Sequence, residues 1–200
     1  MGDDTSRPCY TIHDRSGLKL PKTVSDKDIN AAELLSCALV EEKYLGKWPS
    51  RRTAPFTSRW MFKLHAEMFG KVWRWAGKPR RSDTNIGTPW LHITTQMEEL
   101  AEDLPVWRGD HLEKAAELHF RAICIHPFRD GNGRWARLMT NTWLAQNRHP
   151  IISWPEPHLR DTRSPIREEY IAAVKRAELG ERDAFVALHR KFLSRSSSIS

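Results

Sequence analysis

Two hundred residues, 40% of them apolar and 28% charged, suit one folded domain with short tails and exclude a chain that stays unfolded through lack of apolar surface. A formal charge of +7 draws anions, whether nucleotides, nucleic acid or acidic protein, without choosing among them. Cys9, Cys37 and Cys124 form no CxxC pair and no even set, which suggests neither a disulfide framework nor a cysteine zinc site and fits a reducing cytoplasm. MGDDTSRPCY lacks the basic start and apolar run of a signal peptide, and no apolar run suffices for a membrane helix, so a cytoplasmic protein without membrane contact is expected. Met1, Gly2 and Ser6 do fit the short myristoylation pattern.

Residues 1–24 have no clear period and read as a flexible arm, residues 25–193 as the folded domain, and the Ser-rich 194–200 as a disordered tail. Ser25 is placed to cap a helix through INAAELLSCALVEEKYL, with Ile29, Leu34, Cys37 and Leu45 on its apolar side. Beyond WPSRRTAPFT, Thr57 or Ser58 opens a second helix with Trp60, Leu64 and Met68 on one face and Gly70 at its stop. The following KVWRWAGKPRRSDTNIGTPWLHI is dense in turn residues and predicts loops with a short β-hairpin. TTQMEELAEDLPVW predicts the next helix, and Asp110 caps another whose Ala115, Leu118, Ala122 and Ile125 recur at helical spacing. Pro127 ends that helix by driving His126 out of the α region.

Helical period resumes in RWARLMTNTWLAQN, with Trp135, Leu138, Met139 and Thr142 on one side, followed by a Pro-rich connection from Asn147 to Pro157. Ser164 and Pro165 open a helix ended by Gly180, with Glu168 near the capping-box place, and RDAFVALHRKFL supplies the last. The expected class is mainly α.

Between two of these helices lies HPFRDGNGRWAR, residues 126–137. Gly131 and Gly133 permit positive φ and close approach, so successive N–H groups can converge on an anion at the positive end of the following helix. Arg134 and Arg137, three residues apart, can add charge-assisted bonds to phosphate oxygens. Asp130 would repel a bare phosphate, and its presence makes sense if it holds Mg²⁺ between carboxylate and phosphate oxygens. His126 sits where it can take a proton from a hydroxyl approaching that phosphate. A helix carboxyl end favours imidazolium, which neighbouring positive charge opposes, and the sequence leaves that balance open.

These residues resemble the Fic family motif, HxFx(D/E)GNGRxxR, at all eight specified positions, a coincidence on the order of 10⁻⁸ by composition. WRWAGKPR is similar to the family's approach to its substrate-aligning flap, and EYIAAVKRAELGERDAFVAL to its carboxyl-terminal helices, so the resemblance spans about residues 55–193. Overall the chain is similar to the subgroup called mobile mystery protein B. The resemblance implies a Fic-type helical bundle with a β-hairpin flap. It implies adenylylation: AMP passes from Mg-ATP to a Ser, Thr or Tyr hydroxyl of a target protein and pyrophosphate leaves.

Carried over position by position, His126 is the base, Asp130 holds Mg²⁺, Gly131, Asn132 and Gly133 form the anion hole, Arg134 and Arg137 bind the phosphate tail, and Phe128 anchors the loop. The flap falls at 84–93, with Ile86 and Trp90 to grip the target backbone. Gly133 favours AMP transfer over the phosphorylation of the Doc branch, which has lysine there, while other nucleotides or phosphocholine stay open as donors. Family members are often held off by a glutamate from an (S/T)xxxE(G/N) helix that pairs with the second motif arginine. INAAEL offers Glu33 for Arg137 but departs at Ile29 and Leu34, so an antitoxin-like partner is an equal expectation. The contrasting reading is a non-catalytic nucleic-acid-binding module, which leaves Asp130 unexplained. The tryptophans read as core anchors rather than a stacking platform, and His111, His119, His126 and Cys124 match no closed zinc site.

Overall fold

The computed structural model describes residues 15–194; the myristoylation pattern, Cys9 and the end of the tail lie outside the described residues. Helix α1 (Asp26–Leu45) starts where the Ser25 hydroxyl accepts the Asp28 N–H, and α2 (Ser58–Phe69) where Thr57 accepts that of Trp60. A 3₁₀ turn at Trp90–His92 runs into α3 (Ile93–Asp103). Helix α4 (His111–Ile125) opens on a complete capping box, Asp110 with Glu113, and α5 (Asn132–Gln146) follows the motif loop. A short α6 (Glu156–Arg160) lies in the Pro-rich connection, where no helix is expected, and α7 (Pro165–Glu178) and α8 (Arg182–Lys191) close the chain. Among the described residues no helix is long and apolar enough to cross a membrane.

Helix α5 is the axis of the bundle, packed against α4, α1 and α2. Its Trp135, Ala136, Leu138, Met139, Thr142 and Leu144 are all buried, as a helix covered on most sides requires. Trp60, Trp73 and Trp135 are buried and Trp75 and Trp143 pack against the same core. A second apolar cluster, built on Phe120, Ala177, Phe185 and Leu188, joins α4 to α7 and α8.

Three expectations need correction. The hairpin does not form: the only pairing among the described residues is two isolated bridges, Leu18 with Trp73 and Ile152 with Leu193. Pro89 has no N–H to donate, and carbonyls of the flap segment go to a side chain, Arg80, instead of a partner strand. The apolar side of α1 is also rotated: Ile29, Glu33, Ser36, Val40 and Tyr44 are buried, while Leu34 is exposed. Finally, the end of the expected flexible arm is docked, with Lys19 N–H on the Val72 carbonyl and Arg74 N–H on that of Gly17.

Candidate active site

His126 follows the last turn of α4 in the left-handed region, at φ 48° and ψ 56°, rather than in the extended region that a following proline favours. Such a conformation in a non-glycine residue stores about 1–3 kcal/mol and persists only where the surroundings enforce it. Here the Arg80 guanidinium grips its carbonyl, Nε to O at 2.9 Å. Burial, and then the Arg80 charge, push the imidazole pKa down to about 4 against a raising influence from the Ile123 carbonyl. The His126 imidazole is therefore neutral at physiological pH, and the opposing charge comes from outside the motif. Nδ1 is buried without a well-formed hydrogen bond.

Below it, Phe128 is wholly buried, stacked on His65 at 3.6 Å between ring centres and edge-on to Trp135 at 5.0 Å. The Asn132 side chain turns inward, its amide accepting the Phe128 N–H and donating to the Phe128 carbonyl, each at 2.9 Å. His65, on α2, accepts the Gly77 N–H at Nδ1, so its Nε2 carries the proton and donates to the Asp130 carbonyl at 2.9 Å. Gly131, at φ 79°, has no room for a Cβ, which would lie 2.7 Å from the Phe69 ring.

The Gly131 N–H is taken by Asp130 Oδ1 at 2.6 Å. Gly131, expected in the anion hole, is thus already engaged, and the donors left for an anion are those of the first turn of α5, which has no side-chain cap. Removal of water by the surrounding protein raises the Asp130 carboxyl pKa against the pull of Arg134. No three His, Cys, Asp or Glu side chains gather as a metal cage among the described residues. One accessible carboxylate beside an anion hole fits Mg²⁺ held largely by phosphate and water, and does not fit a tightly caged metal.

The two arginines are both engaged. Arg134 Nη1 meets Glu33 Oε2 at 2.8 Å and its guanidinium lies over the Phe69 ring, while Glu33 Oε1 accepts the Trp73 indole N–H at 2.5 Å. Arg137 is held in a two-point pair by Glu156 of α6, at 2.5 and 2.7 Å. Glu33 therefore pairs with the first motif arginine, not with Arg137 as expected, because position 137 lies one turn deeper and is reached by α6 instead. A cavity of about 450 Å³, lined by Leu34, Glu156, Pro157, Arg160 and Asp161, opens beside that pair.

Ile86 and Trp90 are both exposed on the 84–93 segment, and Asp83 accepts the Trp90 N–H at 2.8 Å. Gly87 brings this segment against the motif: a Cβ there would lie 2.5 Å from His126 Cβ. His65, Arg80 and Glu156 carry no local signal in the sequence, since each acts through a partner distant along the chain or buried in a loop.

Residues 55–144 match the model of the Fic/DOC family. This chain carries a Fic/DOC domain. It is 32% identical over 118 residues to the protein adenylyltransferase fic-1 of Caenorhabditis briggsae, covering 56% of this chain and 22% of that protein. It is 32% identical over 147 residues to the protein adenylyltransferase VbhT of Bartonella schoenbuchensis, covering 67% and 28%. The chain thus spans under a third of the length of these curated relatives. The Fic fold recurs in the structure of Fic-1 from C. elegans, with a TM-score of 0.69 at 21% identity, over 92% of this chain and 53% of that one. It recurs again in the BepC protein of Bartonella tribocorum with bound AMPPNP, with a TM-score of 0.64 at 15% identity, over 92% and 99%.

Proposed function

We propose that this Fic domain is a protein adenylyltransferase that moves AMP from Mg-ATP to a Ser, Thr or Tyr hydroxyl of a target protein. The observation that carries the reading is His126, neutral and locked in a strained backbone conformation beside an uncapped helix start. Its Nε2 takes the proton from the hydroxyl; the hydroxyl oxygen forms a bond to the α-phosphorus, and the bond to the β-phosphate oxygen breaks to release pyrophosphate. The first-turn N–H groups of α5 hold phosphate oxygens, with Gly133 leaving the approach open, and Arg134 and Arg137 meet the phosphate tail. Asp130 would hold Mg²⁺, which when bound neutralises phosphate charge. Ile86 and Trp90 hold the target backbone. The curated relatives that bear the name protein adenylyltransferase support the same reading.

In this reading the enzyme works in the cytoplasm and is restrained between reactions. Glu33 supplies a restraint by occupying Arg134, and an antitoxin-like partner would act in addition. Glu33→Gly is expected to raise self-labelling, and unchanged labelling would remove Glu33 from the proposal. The test of the whole reading is incubation with Mg²⁺ and ATP labelled at the α-phosphate. Label should enter protein, and His126→Ala should lower it by about 10²–10⁴-fold. Undiminished label in that variant sinks the mechanism, and label from the γ- but not the α-phosphate assigns phosphorylation instead.

A further inference from the structure

Arg80 lies outside the motif, yet its side chain is only 3% exposed. Its acidic neighbour among the described residues, Asp83, is 3.8 Å away and largely exposed, so this charge is not buried for the sake of an ion pair. Its donors instead take three backbone carbonyls: Nε that of His126 at 2.9 Å, Nη1 that of Ser82 at 2.8 Å, and Nη2 that of Thr88. Ser82 and Thr88 are the two ends of the segment that carries Ile86, and His126 is the residue in the left-handed region. The backbones repeat the link: Arg80 N–H donates to the Pro127 carbonyl at 2.9 Å and Thr88 N–H to that of Ile125 at 3.3 Å. The planar guanidinium spreads its donors over three nitrogens and so reaches three separated carbonyls at once, whereas an ammonium presents its three donors from a single nitrogen.

We propose that Arg80 is a positioning residue that locks the 82–88 segment and His126 into one unit, so that a target laid along the segment meets the base in register. This rests on the reading of His126 as the base. The carbonyl Arg80 holds belongs to the strained residue itself, so releasing it lets His126 relax toward the conformation its proline prefers. A shift of the order of an ångström at a reacting group costs on the order of 10²-fold in rate.

The test uses the full chain and its Arg80→Lys variant, with Gly87→Ala as a second probe that presses on His126 from the segment side. Labelling from Mg-ATP carrying label at the α-phosphate should fall by about 10²-fold in turnover in Arg80→Lys, with KM for Mg-ATP little changed. Amide hydrogen exchange should quicken together in residues 82–88 and 125–128 while the rest of the bundle keeps its protection. Gly87→Ala should reproduce both effects with Arg80 intact. Exchange that quickens in one segment only, full turnover in Arg80→Lys, or a loss of protection spread over the whole bundle would each overturn the proposal. If the parent chain takes up no label, or His126→Ala loses none, the base reading fails, while the paired exchange result still decides whether the lock exists.

Discussion

Acid should unfold this domain through its buried histidines. His65, His119 and His189 have no exposed surface. Burial pushes the His65 pKa down to about 3 and that of His189 to about 4, and burial with the facing His189 lowers that of His119 well below the usual value. The hydrogen bonds fit neutral rings: His189 Nδ1 donates to the Phe185 carbonyl, His119 Nδ1 to His189 Nε2, the Tyr170 hydroxyl to His119 Nε2, and His65 accepts the Gly77 N–H while donating to the Asp130 carbonyl. In the unfolded chain each regains a pKa near 6.5 and takes up a proton first, so stability is fully present above that value and falls as pH drops toward the folded values. At pH 5.5 each histidine costs about 1.4 kcal/mol relative to pH 8, about 4 kcal/mol for three, against a total of about 5–15 kcal/mol for a typical domain. Urea unfolding followed by fluorescence of the buried tryptophans at pH 8 and 5.5 measures this. These three rings account for about three of the protons taken up on unfolding at pH 5.5, and His126 adds to them. A stability difference under about 1 kcal/mol, or imidazolium signals from these rings in folded protein at pH 5.5, would refute the reasoning.

Phe128→Ala should lower unfolding free energy by about 3–5 kcal/mol, since it removes a fully buried ring stacked on His65, and urea titration reads it directly. Asn132→Ala strands the buried N–H and carbonyl of Phe128 and should cost about 1–3 kcal/mol, with weaker Mg-ATP binding in calorimetry because the loop ahead of α5 loosens. Glu156→Ala leaves Arg137 buried without its carboxylate; it should lower the melting temperature of the free chain more than that of the chain with saturating Mg-ATP, where phosphate oxygens take over the guanidinium. Equal losses with and without nucleotide would show that Arg137 does not meet phosphate.

Much of the helical frame is legible because caps are local. Ser25, Thr57 and Asp110 each accept the N–H that their position predicts, within three residues of chain. Ser164 shows the limit of such reading: it precedes α7 with extended backbone angles, but its hydroxyl is buried and makes no cap bond. The face of α1 is misplaced for a physical reason. Periodicity puts Leu34 inside, whereas the helix turns Glu33 and Ser36 inward, and a hydrophobic pattern cannot register a buried carboxylate whose partner is 101 residues away. Glu156 is hidden for another reason: it lies in a five-residue helix within a Pro-rich stretch, 19 residues from the Arg137 it pairs with. The motif itself needs no tertiary information to be read, because its residues are contiguous and each type has a separate chemical use.

Contiguity specifies which atoms the site offers, but not their geometry. Beside a glycine free to be left-handed, the motif loop holds a left-handed histidine, an inward-turned loop carbonyl and an uncapped helix start, none of which is locally stable. Each is enforced from elsewhere: Arg80 holds the His126 carbonyl, His65 ties the Asp130 carbonyl to Gly77, and the Trp135 indole donates to the Met61 carbonyl at 2.9 Å, fixing α5 against α2. Two of these supports are hydrogen bonds from long polar side chains sealed inside the fold, where losing one partner costs far more than the bond's net worth. A chain that kept HPFRDGNGRWAR but replaced His65 with leucine would leave the Asp130 carbonyl and Gly77 N–H unpaired at the base of the loop. It would still match the motif at every position, yet it would no longer hold Asp130 and the start of α5 in the relation that the proposed phosphate binding requires.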